Sequence, residues 1–168
     1  MIVFVLIVLG LAFGSFANAF VWRWHQKTNK KLSKADKEKL SITKGRSMCP
    51  HCSHTLAATD LLPVISWLWL RGKCRYCKKP ISWQYPAVEV ATAALFVVSY
   101  LGWPFTDTGV AYYALFVSWL VAIIVGMILA VYDFKWMKLP TKIVYGALLP
   151  LSLLIAGLHA WYALNWIV

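Results

Sequence analysis

Two Cys-x-x-Cys pairs, Cys49-Pro-His-Cys52 and Cys74-Arg-Tyr-Cys77, lie twenty-one residues apart in a 168-residue chain with no other cysteine. Each pair can form a turn whose two thiolates converge on one ion, and two such turns complete a tetrahedral four-sulfur site. The spacing is close to that of a zinc ribbon, so Cys49, Cys52, Cys74 and Cys77 are the expected ligands. Four thiolates close the coordination shell, which makes the expected zinc structural and leaves no place to activate water. His51 and His54 are alternative ligands by residue type, and a disulfide framework is the other reading of four cysteines. Arg46, Lys73, Arg75 and Lys78 flank the pairs and would favour thiolates. A second candidate stands far away in the chain. Asp133 lies in AVYDFKWMKLP, residues 130–140, where a long uncharged run gives way to lysines. A carboxylate at the lip of an apolar segment is a functional candidate by default.

These groups must be positioned by a membrane-embedded chain. Hydrophobic residues make up 61% of it, the mean hydropathy is +0.65, and the apolar residues fall into long runs. Ile2–Trp22, Ala87–Trp103, Val110–Tyr132 and Ile143–Val168 are the four, each close to the roughly 20 residues that span a bilayer as a helix. The fold class expected is an all-α polytopic membrane protein with about four transmembrane helices and a small cytoplasmic zinc-ribbon-like loop domain. The first run could serve as a signal peptide, but it lacks a basic start and a small-x-small cleavage site.

The net charge of +11 is distributed one-sidedly. Fourteen of the seventeen lysines and arginines lie in Arg23–Lys79, the other three (Lys135, Lys138, Lys142) lie between the third and fourth runs, and the loop around PFTDTG has none. The positive-inside rule makes the basic side cytoplasmic and puts the amino terminus and Val168 outside. Thiols stay reduced on that side, which favours metal over disulfides. Basic loops also sit well on anionic lipid, so no nucleic-acid partner is needed. The expected division is residues 1–22 as the first helix, 23–85 as the basic loop with the metal subdomain at 46–85, and 86–168 as a membrane bundle with helices near 87–103, 110–132 and 143–166. Within the loop, Lys27–Lys44 reads as a polar linker or a short amphipathic helix. Leu61–Leu70 is too short to span a bilayer and too apolar for a free loop; it lies at the membrane interface or packs beneath the metal site. Asp60 reads as a helix cap or turn residue.

Taken together, the motifs resemble the type IV prepilin peptidases, the leader peptidase/N-methyltransferases of bacterial inner membranes. Gly14-Ser15-Phe16, Asn18 and Arg23 resemble the family's GSFxNxxxxR opening, and Ile81-Ser82, Tyr85-Pro86, Glu89 and Thr92 resemble ISxxYPxxExxT. Between them stand the cysteine pairs, Asp60-Leu-Leu-Pro63, Ser66-Trp67 and Leu70-Arg-Gly-Lys-Cys74. The resemblance implies cleavage of basic leaders from prepilins or pseudopilins at the cytoplasmic face, then methylation of the new amino terminus with S-adenosylmethionine. It makes Asp133, followed by Leu139-Pro140, the first of two catalytic aspartates. The family's second motif, GxGD, has no counterpart: residues 134–168 contain Gly146 and Gly157 but no acid. The second carboxylate would then come from a missing second half or from a homo-oligomer.

Three other residues have ordinary structural readings beside functional ones. Glu89 is a dyad partner for Asp133 or a polar contact within the bundle or to the loop. His159 in the last run reads as a hydrogen-bonded helix residue or one near the outer interface, beside a functional role by default. The GSFAN stretch packs the first helix closely, with Asn18 bonding across helices. A non-catalytic membrane protein that binds pilin leaders or assembly partners through its zinc loop is the alternative function, and a zinc-ribbon anchor for another complex is a third.

Overall fold

In the computed structural model the described residues are 1–29, 33, 38, 40–41, 45–103, 109–138 and 141–166. The Leu139-Pro140 pair, the side chain of His159, the PFTDT segment and most of the Lys27–Lys44 linker lie outside them. The described residues are mostly helical and contain no strand, only two isolated bridges, Met48 with Thr55 and Lys73 with Pro80. The helices are α1 (Ile2–Asn29), the short α2 (Ile65–Trp69), α3 (Gln84–Gly102), α4 (Val110–Trp136), α5 (Thr141–Ile143) and α6 (Leu149–Trp166), with a π-helical turn at Val144–Leu148.

Among the described residues, α1, α3 and α4 are long and apolar enough to cross a bilayer, and Val144–Gly157 forms a shorter apolar segment. Large apolar side chains are exposed along all three long helices, among them Phe4 at 70%, Val98 at 65% and Val117 at 58%. That pattern suits a lipid solvent, where such exposure carries no hydrophobic penalty. Helix α1 runs seven residues past Trp22, through Arg23 and Lys27. Charge ends a membrane span but does not end a helix, so the last two turns continue beyond the apolar run.

The tightest pairing is α1 against α3. The residues α1 buries are Leu6, Gly10, Gly14, Ala17, Asn18 and Val21, a stripe at three- and four-residue spacing. At Gly14 a Cβ would stand 2.6 Å from the Glu89 Cα, and one at Gly10 would overlap the Ala93 backbone. Two glycines four apart therefore let the helix backbones approach as closely as van der Waals radii allow. Asn18 Nδ2 closes the same seam, donating to the Gly14 carbonyl at 3.3 Å and the Tyr85 carbonyl at 3.2 Å. Backbone atoms cannot retreat as a flexible side chain can, so Gly14→Val is expected to destabilise the bundle by about 3 kcal/mol. Unfolding of the purified protein in mixed detergent micelles measures it; a variant as stable as the parent would contradict this packing.

The buried cluster sits toward the end of the bundle that carries the large loop. Ala17 and Val21 of α1, Val88 of α3, and Ile128, Leu129, Val131 and Tyr132 of α4 form it, with Val144, Ala147 and Leu148 of the π turn packed against them. At that end His25 stacks on Trp136, with centroids 3.7 Å apart and planes 8° from parallel. Tyr132 lies beside the pair, 4.8 Å from the Trp136 ring. At the other end Trp103 meets Phe116 edge-on at 5.1 Å. Aromatic rings thus mark both ends of the span, as expected at membrane–water boundaries.

Candidate metal centre and the carboxylates around it

The two cysteine pairs fold into near-copies of one turn. In the first, the Cys49 N–H donates to the His54 carbonyl at 3.0 Å and the Ser53 N–H to the Cys49 carbonyl at 2.9 Å; in the second, Cys74 bonds Lys79 at 2.9 Å and Lys78 bonds Cys74 at 3.0 Å. The residue after each second cysteine is left-handed, Ser53 at φ 56° and Lys78 at φ 59°. That conformation turns the chain back so that both thiols of a pair face one point.

The four Sγ atoms all lie within 4.8 Å of one another, and Cys49 and Cys77 are 3.9 Å apart. Sulfurs about 2.3 Å from a central ion at tetrahedral angles would be about 3.8 Å apart, so the four thiols are close enough to bind a metal ion. No disulfide joins them, and the 3.9 Å separation is far outside the roughly 2.05 Å of an S–S bond. The cluster contains neither His51 nor His54; His54 instead stacks on Tyr76 with centroids 3.7 Å apart. Burial pushes the Cys74 thiol up, but the Cys77 and Tyr76 N–H groups and the thiols of Cys49 and Cys77 outweigh it and bring Cys74 down to about 7. Burial holds Cys49 up at about 11, against the pull of the Cys52 and His51 N–H groups. At Cys74, backbone amides and neighbouring thiols together favour the thiolate. Arg75, one of the flanking cations, is engaged elsewhere: its Nε donates to Asp60 Oδ1 at 2.7 Å, an ion pair whose acid is only 3% exposed.

Asp60 organises the loop. It caps the 3₁₀ turn Ala58–Leu61 from inside by accepting the Ala57 N–H at 3.3 Å, and it takes the Tyr76 hydroxyl at 3.3 Å. One carboxylate therefore ties the segment between the pairs to the second pair. Trp67 adds a further tie, donating its indole N–H to the Ile81 carbonyl at 3.1 Å.

Glu89 anchors the loop to the membrane helices. Its Oε2 accepts the Val64 N–H at 2.7 Å, and the Ser15 hydroxyl of α1 also bonds the carboxyl. Val64 has φ 59° and ψ −50°, and the Ile65 N–H returns to the Pro63 carbonyl across it. This is a γ-turn of the strained, positive-φ kind, unusual for a β-branched residue. The Glu89 carboxylate holds it in place. Glu89→Ala would leave a partly buried N–H without an acceptor, at a cost of about 1–3 kcal/mol. The expected result is faster amide exchange across residues 62–70 with the metal retained; unchanged exchange would refute the anchoring role.

Asp133 lies in the last turn of α4 and is exposed. Its backbone carbonyl accepts the Met137 N–H at 2.6 Å, where Met137 is left-handed at φ 50° and ends the helix. Tyr132 and Trp136, on either side of it in sequence, turn toward His25 of α1. Asp133 itself makes no side-chain hydrogen bond or ion pair among the described residues. Sequence reasoning singled out neither His25 nor Val64. A histidine beside Trp24 at a helix end was the available sign for the first; the second had none.

The structure defines a polytopic α-helical membrane protein with a loop whose four thiols lie close enough to bind a metal ion, tied to its first two long helices. Comparison with known proteins places that class more narrowly. Residues 8–103 match the family model described as the Bacterial Peptidase A24 N-terminal domain, and the chain belongs to that family. It is 34% identical to a type 4 prepilin-like proteins leader peptide-processing enzyme of Escherichia coli O78:H11 (strain H10407 / ETEC), over 94% of this chain and 65% of the relative. It is 36% identical to a prepilin leader peptidase/N-methyltransferase of Pectobacterium carotovorum subsp. carotovorum, over 90% of the chain and 53% of the relative. A protein of the same name in Bacillus subtilis (strain 168) is 39% identical over 74% of the chain and 48% of its own length. The chain thus spans about half to two thirds of the length of these curated relatives. No solved structure matches it.

Proposed function

We propose that this protein releases the leader peptides of type IV prepilins or pseudopilins at the cytoplasmic face of the bacterial inner membrane, by an aspartate-dependent hydrolysis, and methylates the new amino terminus. The observation that carries this reading is the likeness to a leader peptide-processing enzyme over 94% of the chain. Asp133 is the catalytic carboxylate that this chain supplies. It is exposed at the end of α4, next to the loop that would receive a substrate from the aqueous side. In such a reaction an ionised carboxylate takes a proton from water, the resulting hydroxide attacks the scissile carbonyl, and a protonated partner carboxyl donates to the carbonyl oxygen. Glu89 is occupied at Val64 and residues 134–168 hold no acid. We take the partner carboxyl to come from a second copy or from the part of the longer relatives that this chain does not span.

Cys49, Cys52, Cys74 and Cys77 hold one structural zinc, for which an all-sulfur, closed donor set is suited. The loop between α1 and α3 and the Lys135–Lys142 segment face the cytoplasm, with both termini outside, because every lysine and arginine falls on that side. Among the described residues nothing marks a site for S-adenosylmethionine, and the methyl transfer rests on the names of the relatives. The test is incubation of membranes containing the protein with a prepilin, followed by the mass of the product. A shortened pilin is the expected product. A pilin that binds and stays uncut would overturn the peptidase reading in favour of a leader-binding role.

A further inference from the structure

The metal-binding loop carries an apolar ridge that nothing in the described chain covers. Leu62 is 48% exposed, Ile65 56%, Leu68 61% and Trp69 83%, and Trp83, just before α3, is 70% exposed. In water such a ridge costs free energy in proportion to its area. Its height relative to the bilayer follows from α3. That helix has nineteen residues, about 28 Å at 1.5 Å each, so it crosses a hydrocarbon core of about 30 Å only with its ends at the boundaries. Glu89 lies five residues from its start, about 7 Å into the helix, with its side chain leaning back toward the helix N-terminus. Val64, bonded to Glu89 at 2.7 Å, is thereby held at the boundary. Helix α2 begins at the next residue, Ile65.

Charge agrees with this placement. Arg71, Lys73, Arg75, Lys78 and Lys79 are all exposed and follow the ridge directly. The acid of residues 45–83 is Asp60, whose side chain is 3% exposed and paired with Arg75. The outer surface of the loop is therefore positive beside an apolar, tryptophan-bearing ridge, the pattern that suits an anionic headgroup layer.

We infer that Leu62, Ile65, Leu68 and Trp69 are embedded in the lipid at the headgroup boundary, so that the metal-binding loop lies on an anionic bilayer surface as a further point of membrane attachment beside the apolar helices. This rests on α3 spanning the bilayer and is independent of any peptidase activity. Neither a protein partner nor a further part of the polypeptide is its occupant.

The experiment uses the full chain in nanodiscs of phosphatidylglycerol and phosphatidylethanolamine, with benzoylphenylalanine in place of Trp69 or, as a reference, of the lipid-facing Val98. On illumination, position 69 is expected to give a phospholipid adduct in yield within about threefold of position 98. An adduct to protein at position 69, or none while position 98 reacts, overturns the inference. A conservative variant guards against misfolding of the probe-bearing chain. In nanodiscs containing lipid brominated near the headgroup, Trp69→Phe is expected to lose emission that the bromines quench in the parent. Loss of unquenched emission instead overturns it equally.

Discussion

Replacing Cys74 by serine is expected to empty the metal centre. Bound zinc, about one per chain in the parent, should fall to a small fraction of that in the purified variant. The alkoxide that serine would need is far harder to form than a thiolate, and the remaining three sulfurs leave a site open to water. The amides of Cys77 and Tyr76 and the thiols of Cys49 and Cys77 outweigh burial at Cys74 and bring it down to about 7. The consequence reaches beyond the ion. Residues 45–83 bury little apolar surface of their own, with Cys49 and Cys74 the hydrophobic residues in that stretch that are fully buried. Structural zinc contributes on the order of 10 kcal/mol to folding in small domains, so the loop should lose amide protection throughout. The helices should persist, because the α1–α3 seam is built from Gly10, Gly14 and Asn18 and uses no part of the metal site. Metal analysis together with hydrogen exchange checks both halves. A metal-free Cys74→Ser chain whose loop keeps its protection would show that the ion is dispensable.

The second large effect falls on activity and leaves the fold alone. Asp133→Asn keeps the size and shape of the side chain and removes its proton chemistry. Asp133 is exposed and its side chain has no partner among the described residues, so the substitution breaks no contact within them. The helix end is fixed by other means: the left-handed Met137 bonded back to the Asp133 backbone, and the stacking of Trp136 on His25. Leader release by membranes containing the variant should fall by about a thousandfold or more, within the range usual for loss of a general acid or base. Zinc content and thermal unfolding should match the parent. Cleavage of prepilin at the parental rate by the Asp133→Asn protein would remove Asp133 from the mechanism.

What the sequence made legible was mostly chemistry with fixed spacing. Two Cys-x-x-Cys pairs predict a convergent four-sulfur cluster because the geometry of such turns is local, and the thiols do converge. The membrane class followed from uninterrupted apolar runs, which need no tertiary knowledge to read. The two motif segments GSFxN and YPxxExxT proved to be the two faces of one seam: Gly14 lies against the Glu89 backbone and Asn18 bonds the Tyr85 carbonyl. Their spacing could be matched without their contact being visible. Less legible were features fixed by distant partners. The Val64 turn depends on a carboxylate 25 residues away, and a valine gives no sign of positive φ as a glycine would. The extension of α1 to Asn29 went unread because the apolar signal stops at Trp22. At Cys74 the backbone amides of Cys77 and Tyr76 act together with the neighbouring thiols, and no side-chain pattern records where an amide points.

The guanidinium of Arg23 has a different kind of consequence. It donates to the Ser41 carbonyl at 3.0 Å and the Gly45 carbonyl at 3.3 Å, so the chain that leaves the end of α1 is brought back to α1 before the first cysteine pair begins. Ser41 and Gly45 are therefore tied to α1 directly, and the placement of the metal centre does not depend on how many residues separate Asn29 from Ser41. For a closed loop each doubling of length costs only about 0.6 kcal/mol. A reporter peptide spliced in between Asn29 and Ser41 is therefore expected to leave the bundle and the metal centre undisturbed.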